Sequence, residues 1–136
     1  MKKLAVLFFV VAIGCQPSGK EDKVDLKALK DEVFEIHDDV MPKMGDLRRV
    51  RKSLALQADS IMESDGERAE LLLSVSKEIE MANESMMNWM RNFDPNFEGD
   101  YQQELDYLNE KKESMIKVRD AMLQSMEKGQ KILEEN

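Results

Sequence analysis

The chain has 136 residues, with 28 acidic and 20 basic side chains and a formal net charge of −8 at pH 7. An acidic surface of this kind repels phosphate backbones, so we expect no binding to nucleic acid. The single cysteine excludes an internal disulfide and a thiolate cluster, and the small number of glycines, prolines and aromatic residues favours helices over sheets.

The first 14 residues have the pattern of a secretion signal. Lys2 and Lys3 precede ten apolar residues over 4–13, and Gly14 and Cys15 follow them. That run is too short to cross a bilayer, since a spanning helix needs about 20 residues. Residues 12–15, Ala-Ile-Gly-Cys, resemble the bacterial lipobox. We therefore expect residues 1–14 to be removed and Cys15 to carry lipid; the alternative is an ordinary signal peptide with an incidental cysteine.

Residues 15–23 are predicted to form the lipidated cysteine and a flexible tether, because Pro and Gly stand among polar side chains without apolar periodicity. Gln16 takes the place of the aspartate that retains many lipoproteins in the inner membrane. We expect a lipid anchor in the outer membrane, facing the periplasm. The segment 20–22, Lys-Glu-Asp, resembles a surface-export signal of Bacteroidota lipoproteins and makes the cell surface the alternative.

Residues 24–136 are predicted to form one helical domain. Apolar residues over 26–61 alternate at three-residue and four-residue intervals, which predicts a long amphipathic first helix. Proline lacks a backbone donor and clashes with the preceding turn, so we expect a kink near Pro42. The same alternation over 67–93 and over 101–133 predicts a second and a third helix.

The connections between these helices also have sequence signatures. Ser64 with Glu67 matches a capping box for the second helix, and Asp100 with Gln103 matches one for the third. Residues 94–99, which start with Asp-Pro-Asn, cannot continue a helix and are predicted to be a loop. Short connections make neighbouring helices antiparallel, so we expect an all-α, up-down-up three-helix bundle.

The predicted first helix is longer than the second, so its N-terminal part overhangs unless the 94–99 loop, the kink or a partner covers it. An uncovered apolar overhang is a candidate interaction surface for another envelope protein or for a second copy of this chain. Its residues are Leu26, Leu29, Val33, Phe34 and Ile36.

A second candidate site combines the only histidine with several methionines. If the first turn centres on Asp65, residues of the first two helices face each other in pairs: Met44 with Met86, Met41 with Trp89, and Val40 with Met90. His37 then lies at the level of Phe93. Imidazole and thioether groups suit Cu(I). The candidate ligands are His37, Met41, Met44, Met86, Met87 and Met90.

The alternative interpretation needs no metal. Methionine fills irregular space in cores with few aromatic residues, and a lone histidine commonly bonds a nearby carboxylate such as Asp38 or Asp39. We expect the three later methionines, Met115, Met122 and Met126, to belong to the core. The expected cofactor is none, with copper as the alternative.

No catalytic constellation is visible in the sequence. The chain has one histidine, and it lacks a Glu-x-x-His pair, a nucleophile elbow and a glycine-rich phosphate loop. The many carboxylates occupy helical positions that are usually a solvated face. We therefore expect a non-enzyme that binds another envelope protein through a helix face.

Two strings resemble a family of small Bacteroidota lipoproteins whose members are often mislabelled as viral A-type inclusion proteins. They are His-Asp-Asp-Val-Met-Pro-Lys-Met-Gly-Asp-Leu over 37–47 and Met-Met-Asn-Trp-Met-Arg-Asn-Phe over 86–93. The resemblance extends over nearly the whole chain, including the signal, Tyr107-Leu108, Lys117-Val118 and Met122. It implies a helical, lipid-anchored envelope protein, leaves the function open and transfers no catalytic or metal-binding residue.

Overall fold

The computed structural model describes residues 23–135, which are helical and contain no β-strand. The expectation of an all-α chain with packed helices is confirmed. The predicted signal peptide, Cys15 and residues 16–22 of the tether lie outside the described residues. The helices are α1 (Leu26–Val40), α2 (Met44–Ile61), α3 (Gly66–Asn92) and α4 (Tyr101–Glu134).

The long first helix predicted over 26–61 consists of two α-helices. A short 3₁₀ helix over Met41–Lys43 joins α1 to α2. Its second residue is Pro42, which has no N–H to continue the α-helical hydrogen bonds. At the start of α1, the Asp25 side chain accepts hydrogen bonds from the backbone N–H groups of Lys27 (2.9 Å) and Ala28 (3.3 Å).

The two later helices start at acidic caps. The capping box predicted at Ser64 is wrong, because Asp65 is the N-cap of α3 and accepts from the Arg68 N–H at 3.1 Å. The Ser64 hydroxyl instead donates to the Ile61 carbonyl and closes the end of α2. The capping box predicted at Asp100 and Gln103 is confirmed.

Each helix contributes a stripe of apolar side chains to one core. The contacting pairs of helices are α2 with α3, α3 with α4, α1 with α4 and α2 with α4. Burial of such stripes supplies most of the stability of helices in water. The largest fully buried side chains are Leu47, Leu54, Leu72, Ile79, Met86, Met115, Met122, Val33, Val40 and Val75.

The helical body has two ends that differ in what they contain. At the first, which we call the loop end, the Tyr101 hydroxyl donates to the Val24 carbonyl at 3.4 Å. The residues between α3 and α4 lie here. At the second, which we call the turn end, the Arg68 guanidinium donates to the Ile132 carbonyl at 3.3 Å, close to the α2–α3 connection. Between the ends, Lys128 pairs with Glu78 at 2.6 Å.

Within residues 23–135, none of the helices combines the length and the apolar content needed to cross a membrane.

At Gly129, α4 lies very close to side chains of α2 and α3. A Cβ added there would lie 2.6 Å from Cγ1 of Val50 and 3.0 Å from Cδ1 of Ile79. Alanine gains up to about 1 kcal/mol of helix propensity over glycine, whereas overpacking a core costs about 1–3 kcal/mol. Val50 is β-branched and stiff, so the overpacking cost should dominate.

We therefore expect Gly129→Ala to lower the free energy of unfolding by about 1 kcal/mol, measured by urea denaturation followed by circular dichroism. Gly45→Ala is the matched control, because nothing lies within 4 Å of a Cβ at that helical glycine. The control should be unchanged or more stable. Equal stabilisation by both substitutions would contradict this close approach.

Candidate functional site

One contiguous aromatic cluster occupies the loop end. It contains every aromatic side chain of the described residues except Tyr101, together with the imidazole of the histidine. Its members come from α1, from the end of α3, from the following loop and from α4. They are Phe34, His37, Trp89, Phe93, Phe97 and Tyr107.

The rings at the end of α3 form the centre of the aromatic cluster. Trp89 and Phe93 are four residues apart, and their rings stack with centroids 4.8 Å apart. Phe93 meets Phe34 of α1 edge to face at 5.4 Å and stacks on Tyr107 of α4 at 6.3 Å. Aromatic pairs contribute about 0.5–1.5 kcal/mol each beyond the area they bury. The aromatic cluster therefore ties three helices to one another.

Hydrogen bonds fix two of these rings. The Trp89 indole N–H donates to the Ser114 hydroxyl at 3.0 Å and to the Lys111 carbonyl at 3.2 Å. The Tyr107 hydroxyl accepts from the Asp94 N–H at 2.6 Å and donates to the Asp94 carbonyl at 3.2 Å. Both rings therefore hold α4 against the end of α3 and the start of the loop.

His37 lies at the edge of the aromatic cluster. Its Nδ1 is 2.8 Å from the Asp38 carboxylate, so the predicted bond to a neighbouring carboxylate is confirmed. The side chain is 18% exposed, and the imidazole stacks on Trp89 with centroids 5.8 Å apart. The imidazole therefore contacts Trp89, which lies one turn before Phe93 on α3, whereas the sequence predicted it at the level of Phe93.

A cavity of about 280 Å³ opens beside His37, and we call it the His37 cavity. Its lining is largely apolar and comes from α1, the end of α3 and the following loop. The lining residues are Phe34, His37, Trp89, Met90, Phe93 and Pro95. Pro95 also lines a second cavity of about 260 Å³, together with residues that include Leu26, Lys30, Phe97 and Tyr107.

The six predicted metal ligands fall into three groups. Met44 and Met86 are buried in the core at 5% and 0% exposure. Met41 and Met87 are exposed at 36% and 42%. His37 and Met90 line the His37 cavity together.

The three methionines of α4 belong to the core as predicted. Met115 and Met122 are fully buried, and Met126 packs against the core from a half-buried position. These residues fill space in the way that unbranched, flexible side chains do.

The predicted apolar overhang is largely covered within the chain. Leu29 and Val33 are buried at 6% and 0% exposure, so the prediction that they form an open interaction surface is wrong. Phe34 and Ile36 are half-buried and contact Phe93 and the core, and Leu26 lines the second cavity. The cause is α4, whose 34 residues extend along α1 as far as the loop end.

Charged side chains surround the helices in exposed pairs. Glu80 of α3 contacts both Lys77 at 2.8 Å and Arg51 of α2 at 2.9 Å. The hydrogen bond from Lys77 and the charges of both cations hold the pKa of the Glu80 carboxyl below its usual range. Exposed pairs of this kind contribute little to stability, so these carboxylates behave as a solvated face.

Sequence reasoning missed the aromatic cluster. Two local signals were present: Phe34 and His37 are three residues apart, and Trp89 and Phe93 are four apart, which places each pair on one helix face. The two pairs meet only when α1 and α4 pack against the end of α3, and helix periodicity does not specify that packing.

Within residues 23–135, no group of three or more His, Cys, Asp or Glu side chains is arranged to hold a metal ion. Comparison with protein-family models, curated proteins and solved structures gives no match.

The aromatic cluster predicts a measurable role for Trp89. Trp89→Phe removes an indole N–H that bonds Ser114 and Lys111 and leaves a smaller ring in a site that is 8% exposed. We expect the free energy of unfolding to fall by about 1–3 kcal/mol, measured by urea denaturation and circular dichroism. Phe97→Leu, at an exposed ring of the loop, is the control and should cost less. Equal losses would contradict the anchoring role of Trp89.

Proposed function

We propose that the protein is a lipid-anchored, non-catalytic helical module of the bacterial cell envelope that binds another envelope protein. Cleavage before Cys15 and lipid on its thiol supply the anchor. The outer membrane, on its periplasmic side, is the proposed location, and the cell surface is the alternative. Support comes from the signal pattern over residues 1–15 and from the resemblance described above.

We also infer that the helices form an antiparallel, up-down-up bundle, in which α1 and α2 together make one arm that bends at Pro42. The contacts between α3 and α4 support it: Arg68 bonds Ile132, Glu78 pairs with Lys128, and Trp89 bonds Ser114. Residue numbers therefore rise along α3 as they fall along α4. Arg51 of α2 contacts Glu80, and His37 of α1 contacts Trp89. These contacts support an antiparallel arrangement of α1 and α2 against α3.

The observation that carries the binding proposal is the position of exposed apolar side chains relative to the tether. Four of them lie around the connection of α2 and α3, at the turn end, and we call this group the turn-end patch. Leu71 and Leu73 are two residues apart and lie on different faces of α3, so the four side chains surround the turn end and do not form one continuous surface. The patch consists of Leu56 (60% exposed), Met62 (42%), Leu71 (46%) and Leu73 (38%).

The tether attaches at the opposite end. The chain enters α1 at Leu26, and Val24 is held there by Tyr101. At 1.5 Å per residue, the 34 residues of α4 extend about 50 Å from the loop end toward the turn end. A tether of about eight residues reaches at most about 30 Å. An anchored chain can therefore present the turn-end patch well away from the lipid, where an envelope protein with its own apolar surface would meet it.

The anchor is tested by metabolic labelling with a fatty-acid analogue followed by membrane fractionation. We expect label on the wild-type chain, an N-terminus at Cys15, and loss of both label and membrane association in Cys15→Ala. A wild-type chain that keeps Met1 and a free thiol would overturn the anchoring proposal.

The turn-end patch is tested by a photo-crosslinking side chain at Leu71 in the cellular protein. We expect discrete crosslinked species that disappear in a Leu56→Glu, Met62→Glu variant, because charge replaces the apolar contact. Met81 is the matched control position, since it is 56% exposed but lies in the middle of α3. Identical crosslinks from Leu71 and Met81, or crosslinks that survive the double variant, would contradict binding at the turn end.

A further inference from the structure

The two nitrogens of His37 have different surroundings. Nδ1 is 2.8 Å from the Asp38 carboxylate, which can only accept when ionised, so Nδ1 carries the proton. Nε2 is then the atom with a free lone pair, and within the described residues it has no hydrogen-bond partner. Histidines that bind metals commonly have this arrangement, in which a carboxylate fixes the tautomer and orients the ring.

The His37 cavity offers a second donor of a different kind. Met90 lines it from α3, and its thioether lies on an unbranched side chain that can adjust the position of the sulfur. The Trp89 indole N–H is already bonded to Ser114 and Lys111. The other lining residues are Phe34, Phe93 and Pro95, whose side chains have no donor atoms.

This pair of donors selects a class of ion. Calcium and magnesium need several oxygen ligands, and a structural zinc site needs four ligands, most often thiolates and imidazoles. An imidazole nitrogen with a thioether sulfur suits a soft monovalent ion such as Cu(I).

The charges near the cavity also favour a cation at this place. Asp38 and Asp39 are exposed beside the histidine, and the chain carries a net charge of −8. The local field therefore raises the concentration of cations near the cavity.

We propose that the His37 cavity binds one Cu(I) ion through Nε2 of His37 and the sulfur of Met90. Met44 and Met86 are core residues and have no part in it, and Met41 and Met87 lie outside the cavity lining. The proposal does not depend on the lipid anchor, because no atom of residues 1–22 takes part.

The experiment is a titration of the purified lipidated protein in detergent with Cu(I), and separately with Ag(I), in competition with a chromogenic chelator. Trp89 is the only tryptophan, so its fluorescence reports directly on the cavity. We expect one ion per chain and quenching of Trp89. The Cys15→Ala chain has no thiol and no lipid, and it should bind the ion with the same stoichiometry. The result therefore excludes binding by a free thiol, and it tests the metal site independently of the anchor.

Three variants decide the assignment. His37→Phe keeps a ring against Trp89, and Met90→Leu keeps the side-chain volume. Each should weaken Cu(I) binding about tenfold or more, because even residues that only orient a metal ligand cost this much when they are replaced. Met87→Leu is the matched control on the same turn of α3 and should bind as the wild type does. Circular dichroism confirms that each variant is folded. Unchanged affinity in the His37 and Met90 variants, equal loss in the control, or no one-to-one binding would overturn the site.

Discussion

Stacking of Trp89 on Phe93, and of Phe93 on Tyr107, is the contact on which the loop end depends. It joins the end of α3 to α4 across the eight residues 93–100 that connect the two helices. Phe34 and His37 then pack on the same rings and bring α1 into place. The main helical neighbour of α1 is α4, and these ring contacts connect α1 to the end of α3 as well.

Much of the fold follows from residue spacing. Apolar intervals of three and four residues located the helices, and Asp100 with Gln103 marked the start of α4 because a capping box is a local device. The error at Ser64 is equally local, since two adjacent residues competed for the cap and the stronger acceptor, Asp65, bonds the backbone. The covering of Leu29 and Val33 is different, because it depends on how far α4 extends along α1.

The candidate site could be predicted only in part. The sequence indicated a set of candidate ligands, one histidine and five methionines, but not their positions in the fold. In the structure Met44 and Met86 are buried in the core, whereas His37 and Met90 line one cavity. Which face of α3 meets α1 depends on the packing of three helices. A single sequence contains no direct record of that packing, so the aromatic cluster emerged only from the arrangement of the folded chain.

The most direct test of this account is the nuclear Overhauser effect between the rings of His37 and Trp89 in the isotopically labelled protein. The chain has one histidine and one tryptophan, so their ring signals cannot be confused with others. With centroids 5.8 Å apart, cross-peaks between imidazole and indole protons are expected. Their absence, together with rapid amide exchange along α1, would contradict the packing of α1 on α3 and with it the aromatic cluster.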